Sequence, residues 1–386
     1  MAKIRRVAVI IDLSWAYQHH HGVFVGTQRY AQAHGNWECT VGAYADPDMM
    51  FPGTHSRYDG IIARTSLQLA ERAQAAGIPL VNVYANTSAK GLVTVSPDRE
   101  AVGRWAAEHL LGRGFHHFGF LGFQREQVSK THLEGFRAAL REAGKTCTHH
   151  LAGRNFDRGE AYWQHYLRGM DDWIDTWTLP IGVFVTIDLA CRYLAEACRR
   201  KRLNIPNDVG LIGTQNEKVI CLQPEPMLTS IDVSYEQVGY TAAQILDDMM
   251  DGKPSPDEPV LVPPKELVPR GSTDVLMVSD PLVSQALRFM AEQGHTGIRV
   301  QDVANAVSTA RRTLERRFRA AMRRPIAEEL TRLKVERVKR MLVETTTPID
   351  LLAANSGFID GKQLGKTFTR VVGVSPREYR RRRQAK

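Results

Sequence analysis

The sequence predicts an α/β fold with parallel sheets over residues 1–266, a linker at 267–280, and an all-α region at 281–386 holding two helix-turn-helix units. Three observations lead there. Short Val- and Ile-rich runs alternate with amphipathic helical stretches as far as Asp251, the pattern of strands covered on both faces by helices. From Ile298 the strand-like runs stop, and apolar residues recur at helical spacing instead. Charge divides the same way: from Thr273 onward 23 Lys and Arg stand against 12 Asp and Glu, a net of +11, while the whole chain is +9. The preceding residues therefore carry about −2. A basic tail on a near-neutral body is the electrostatic footprint of a domain that displaces counterions from DNA.

Taken in order, Arg6 to Leu13 (RVAVIIDL) is the first buried strand, followed by a helix over Val23 to His34 and a strand over Trp37 to Tyr44. Strands at Gly60 to Ala63, Ile78 to Tyr84, Phe118 to Gly122, Gly182 to Thr186 and Val209 to Gly213 then alternate with helices. Those helices are placed at Leu67 to Ala76, Arg99 to Leu111, Leu133 to Ala143, Leu189 to Lys201 and Tyr235 to Asp251. So many strand-helix units need two sheets. His19, His20 and His21 point in different directions on any regular element, so they read as a solvated loop or helix start and not as a metal site.

Gly252 to Asp280 holds Pro254, Pro256, Pro259, Pro263, Pro264 and Pro269, a density that favours an extended, semi-rigid spacer. Within it Leu267 to Ser272 spells LVPRGS, a thrombin cleavage sequence, expected to be cut after Arg270. The five cysteines are an odd number without a CxxC spacing, and the N-terminus has no apolar run long enough for export or a membrane span. The expectation is a cytoplasmic chain with reduced thiols and no cofactor or metal. Nothing reads as a Gly-x-Ser-x-Gly elbow, a P-loop, a metal-spaced His and Cys set or a catalytic carboxylate pair, so an enzyme is not expected. The basic helices also lack the bulky apolar face of a membrane-surface helix, so no membrane partner is expected.

The C-terminal region carries the sharpest pattern. Ile349, Leu352 and Ala353 are apolar at helical spacing, and so are Leu364, Phe368 and Val371, with Ser356-Gly357-Phe358 between the two runs. Gly357 is suited to the left-handed turn that ends a helix, and Asp360 to capping the next one. The second helix then shows Lys362, Gln363, Lys366, Thr369 and Arg370 to solvent, side chains fitted to phosphates and base edges. A copy lies upstream in Val300 to Ala306 and Arg311 to Met322, with Leu314 and Phe318 inward and Arg311, Arg312, Thr313, Arg316 and Arg319 outward. The units span about 300–322 and 349–372, joined by one helix over Ile326 to Leu342. In the first turn Ser308 lacks glycine's freedom and Ala310 cannot cap, a loss on the order of 1 kcal/mol.

Two such units on a rigid helix, closing in SGF, a Phe-containing helix and GVSPREYR, resemble the DNA-binding domain of AraC/XylS-family transcription regulators. Upstream, VSPDREAVGRWAAEHLLGRGFHHFGFLG, HLEGFRAAL, VFVTIDLACRYLAEACRRKRLNIPNDVGLIG and SIDVSYEQVGYTAAQILDDMMDGKP resemble the effector domain of LacI/GalR-type repressors. The second resemblance implies a two-lobed periplasmic-binding-protein-like (type I) sensor. Its lobes are about 1–112 with 235–256, and 113–232 with a returning strand to about 266. Together the resemblances imply double-stranded DNA, a small-molecule effector, a homodimer and RNA polymerase as partners. The effector implied is a sugar, a pentose such as xylose.

A sugar site needs hydrogen-bonding groups and an aromatic face just past the carboxyl ends of parallel strands. Ser14, Trp15, Tyr17, Arg64, Asp188, Gln215 and Asn216 satisfy that placement, with Asp188 at the family's ligand-contact Asp. Three positions depart from the family. Asp98-Arg99 stands where Asp-Asn is common, His132 where an Arg precedes Gly-Phe, and Gln215 where a loop Asp is usual. A site built from hydrogen-bonding groups rejects ligands that leave them unpaired. The departures leave two outcomes open: a different sugar, or a sensor that has lost its ligand and serves for dimerisation.

Overall fold

Runs such as VAVI and IGVFV offer no polar stripe to water, so they are stable only as strands covered on both faces. The computed structural model places them centrally in two six-stranded sheets. It describes residues 4–13, 18–42, 58–84, 91–153, 159–222, 224–275, 280–322, 324–344 and 347–384. The chain divides into two units, Met1–Asp274 and Val275–Lys386.

In the first unit one sheet contains β1 (Arg5–Ile10), β2 (Trp37–Gly42), β3 (Gly60–Ala63), β4 (Leu80–Asn82), β5 (Val93–Pro97) and β11 (Val260–Val262), in the order β11-β5-β4-β3-β1-β2. The other contains β6 (His117–Phe123), β7 (Thr148–Ala152), β8 (Ile181–Val185), β9 (Val209–Thr214), β10 (Thr229–Asp232) and β12 (Glu266–Val268), in the order β12-β10-β9-β8-β6-β7. All pairings are parallel except that of β12 with β10. The helices are α1 (Gln18–His34), α2 (Leu67–Ala75), α3 (Arg99–Gly112), α4 (Gln127–Glu142), α5 (Gly159–Ile174), α6 (Asp188–Arg200), α7 (Lys218–Cys221) and α8 (Tyr235–Met250).

Each sheet with its helices makes a lobe, and the chain crosses between lobes three times: from β5 into α3, from β10 into α8, and from β11 into β12. This corrects the expected boundary at residue 112. Helix α3 packs on α4 of the second lobe, so the first crossing falls at Pro97–Arg99. The cause is a pair of glycines: a Cβ on Gly103 would come within 2.2 Å of the His132 carbonyl, and one on Gly135 within 2.0 Å of the Glu100 carbonyl. Gly26 and Gly239 seat α1 on α8 in the first lobe by the same device. The returning strand is also corrected, since Val260–Val262 joins the first sheet beside β5 and only Glu266–Val268 reaches the second.

The expected spacer at 267–280 is overturned over most of its length. β10 leaves an open edge, and β12 pairs with it antiparallel. Beyond it Arg270, Ser272 and Thr273 are buried. The Arg270 guanidinium donates to the Leu228 carbonyl (2.7 Å) and the Asn216 side-chain oxygen (2.6 Å), while the Ser272 hydroxyl donates to the Leu211 carbonyl (2.6 Å). The prolines that suggested a spacer mostly lie before this segment, around β11.

The second unit is helical: α9 (Pro281–Gln293), α10 (Val300–Ala306), α11 (Arg311–Met322), α12 (Ile326–Glu344), α13 (Ile349–Ala354), α14 (Gly361–Val372) and α15 (Pro376–Gln384). It has two cores. Val283, Leu287, Val303, Leu314 and Phe318 build the first, and Leu352, Leu364 and Phe368 anchor the second. Helix α12 serves both, giving Ile326 and Leu330 to one and Val335, Val338 and Leu342 to the other. Asp280 caps α9 through the amides of Leu282 and Val283 and takes both arms of Arg317 from α11 (2.7 and 2.6 Å).

Candidate ligand cleft and nucleic-acid interface

Because parallel strands end on the same side, their following residues converge on the cleft between the lobes. His19, Tyr84 and Tyr235 reach it from the first lobe; Arg99, Glu126, His132, Thr186 and Gln215 come from the second lobe and its crossings. The space enclosed among the described residues is about 30 Å³, room for one or two waters.

The sequence-predicted positions separate into three groups. His132 and Gln215 line the cleft. His132 is 3% exposed, neither ring nitrogen has a hydrogen-bond partner among the described residues, and burial with the neighbouring Arg99 charge holds it down at about pKa 3. Gln215 sits at φ +97 and its side chain bonds Tyr235, whose hydroxyl is pushed up to about 12 by desolvation.

Four others are turned to structural work. Asp188, expected to be the principal ligand contact, lies wholly buried at the start of α6 with its carboxylate aimed inward. Its oxygens accept the Ser230 hydroxyl (2.7 Å) and the Glu217 amide (2.9 Å), and desolvation lifts it to about 7. It therefore ties α6 to β10 and to the loop after β9. Asp98 caps α3 by accepting from the Ala101 amide (2.9 Å). Asn216, at φ +54, receives Arg270. The Arg64 guanidinium lies over the Tyr84 ring, 4.5 Å from its centroid. The third group, Ser14, Trp15 and Tyr17, lies outside the described residues.

Sequence reasoning missed Arg99, Thr186, Tyr235 and Glu126. All follow strand ends, so the placement rule that picked the other candidates was the available signal. His19 and His20 are buried near the cleft, where a solvated start of the helix was expected; α1 begins earlier than Val23, and only His21 of the three is exposed.

In the second unit Arg311, Arg312 and Arg316 on α11 are exposed and Thr313 half-buried, while Lys362, Gln363, Lys366, Thr369 and Arg370 on α14 are all exposed. Leu314 and Phe318 hold one helix as Leu364 and Phe368 hold the other, so the two helices present the same face. The turns match as well: the Thr309 amide returns to Ala304 and the Phe358 amide to Ala353, each at 3.0 Å, past a left-handed residue. That residue is Gly357 (φ +72) in one turn and Ser308 (φ +51) in the other.

Two contacts modify the exposed faces. Arg311 pairs along its own helix with Glu315 (2.8 Å), and the Gln363 side-chain oxygen accepts from the Ile359 amide (2.8 Å). Asp360 caps α14 as expected, accepting from the Gln363 amide (2.6 Å). Lys334 and Arg337 of α12 donate to the carbonyls of Gly357 (2.8 Å) and Asn355 (3.0 Å), fixing the second turn on the connecting helix.

Comparison with known proteins agrees with both geometries. Residues 107–273 match a periplasmic binding protein-like domain and residues 303–382 a helix-turn-helix domain. The xylose operon regulatory protein of Escherichia coli strain K12 is 26% identical over 327 residues, 83% of each chain. The chain is similar to the xylose operon regulators over most of its length. A solved structure titled as the xylose-binding transcription activator xylR superposes with a TM-score of 0.72 at 24% identity, covering 98% of each chain. The sensor alone is similar in fold to a LacI family regulator from Enterococcus faecium solved with bound ribose, at TM-score 0.57 and 20% identity over 71% of this chain and 100% of that one. In this chain, then, a periplasmic-binding-protein-like domain precedes a helix-turn-helix domain. Among the described residues no helix is long and apolar enough to cross a membrane.

Proposed function

We propose that the chain is a cytoplasmic transcription regulator, not an enzyme, in which a sugar taken up between the sensor lobes alters how a homodimer presents its helix-turn-helix pairs to a promoter and to RNA polymerase. The observation that carries this reading is the cleft at three interlobe crossings, lined by buried polar atoms of Arg99, His132 and Thr186 that have no hydrogen-bond partner among the described residues, in a chain that ends in two matched basic helices. Among the described residues the enclosed space is too small for a sugar ring, so in this reading uptake parts the lobes about the crossings. A ligand that prefers one lobe arrangement shifts the population by its differential affinity, typically 1–3 kcal/mol. Each protomer's α11 and α14 would enter successive major-groove turns, about 34 Å apart. Arg311, Arg312, Thr313, Arg316, Lys362, Gln363, Lys366, Thr369 and Arg370 would supply the contacts, and His132 with Gln215 the ligand contacts.

Two measurements test it. Lys362→Ala should weaken operator binding and relax sequence preference, whereas Arg316→Ala should weaken operator and random duplex alike through lost phosphate contact. If both variants bind like the parent at matched salt, the helix assignment is wrong. On the sensor side, a sugar library screened by thermal shift should contain at least one member that raises the melting temperature. A second reading, a constitutive DNA-binding protein whose sensor only dimerises, is favoured by how far Arg99 and His132 fill the cleft; a flat response across the library would establish it.

A further inference from the structure

We propose that the cleft selects an anionic carbohydrate, a sugar carrying a carboxylate or phosphate, over a neutral pentose; the inference rests on the sugar-sensing reading above. The decisive residue is Arg99, at the first crossing. It is 6% exposed and its Nη2 is buried without a hydrogen-bond partner among the described residues; its Nη1 lies 3.5 Å from the Pro97 carbonyl and its Cζ 5.7 Å from the centroid of the Tyr84 ring, neither of which neutralises the charge. A buried guanidinium is costly unless an acceptor of opposite charge meets it.

The acids nearby are already engaged. Glu126, which lines the cleft, accepts the Ser129 hydroxyl (2.7 Å), Asp188 is turned inward onto Ser230 and Glu217, and Asp98 caps α3. The usual arrangement for a neutral sugar, carboxylates chelating adjacent hydroxyls, is thus inverted: the cation points in and most acids point away. His132 and Thr186, 3% and 1% exposed, likewise present polar atoms without hydrogen-bond partners among the described residues, which suits the hydroxyls of the same ligand. Helices α4, α6 and α8 open beside the cleft with no side-chain cap, leaving amide groups that favour negative charge. A neutral pentose would satisfy hydroxyl partners and leave the guanidinium without a hydrogen-bonded acceptor of opposite charge, since no described carboxylate, Glu126 included, is bonded to it.

The test is thermal shift and calorimetry on the full chain with matched sugars: D-xylose against D-xylonate, and D-glucose against D-glucuronate and D-glucose 6-phosphate. Sodium chloride equalises ionic strength. The expected result is an anionic member binding about 10- to 100-fold tighter than its neutral partner, the range of one charge-assisted hydrogen bond to a buried group. The uronate and phosphate arms tell which anion is meant. Arg99→Met should abolish the preference and Arg99→Lys retain part of it; if neither folds, the matched pairs on the parent chain still decide. A neutral sugar that binds as tightly as its acid overturns the inference and leaves sugar sensing intact. No binding by any member of the panel or of the wider library overturns both.

Discussion

At the scale of single residues, burial separates groups that hold the fold from groups left open to a ligand. Asp188 was legible as a candidate because it follows a strand end, and His132 because it stands where the family has an Arg, yet one has its acceptors filled by Ser230 and Glu217 and the other has neither ring nitrogen paired among the described residues. Position along the chain could not distinguish them, since the direction of each side chain depends on what packs beside it. His132 also makes a pH prediction. Its folded pKa of about 3 lies below the ordinary 6.5, so between those values the unfolded chain binds a proton that the folded chain refuses. Stability is therefore full above about 6.5 and falls as pH drops toward 3, by at most about 1.4 kcal/mol per pH unit. His132→Gln should flatten that limb in a series of melting temperatures against pH. His109, held down at about 4 by burial, has the same sign and should preserve part of the slope.

At the scale of elements, most strands and helices were readable because their periodicity is strong, and the exceptions have physical causes. β7 (THHLA) and β10 (TSID) are short and polar in sequence, and are strands only because neighbours supply hydrogen bonds. The helix-turn-helix turns were readable because a left-handed residue is demanded there, and the first places Ser308 in that conformation at a cost on the order of 1 kcal/mol. Ser308→Gly should therefore raise the urea midpoint of the C-terminal transition by a matching amount. Gly357→Ala should lower it by more. The substitution adds strain at φ +72 and brings a Cβ within 2.8 Å of the Gly294 carbonyl and the Gly297 amide.

At the scale of the whole molecule, the boundary between units decides how the chain responds to protease. LVPRGS reads as an exposed spacer, but Arg270 is 8% exposed and bonded to Leu228 and Asn216, and β12 is paired with β10. A protease needs the segment extended and free, so thrombin should leave the native chain intact on a gel and cut after Arg270 only once the sensor has been unfolded, for instance in urea. Rapid cleavage of the native chain would contradict the packing of β12. The sequence by itself determined the two-part plan, the sensor's α/β class and the faces of the two basic helices, because each is written in local periodicity, charge and turn chemistry. The tertiary structure alone decided where the lobes cross, that Arg270 is core, and that Arg99 rather than Asp188 faces the cleft. Those outcomes depend on which distant backbone an exposed edge or a glycine face meets, and no local window of sequence contains both partners.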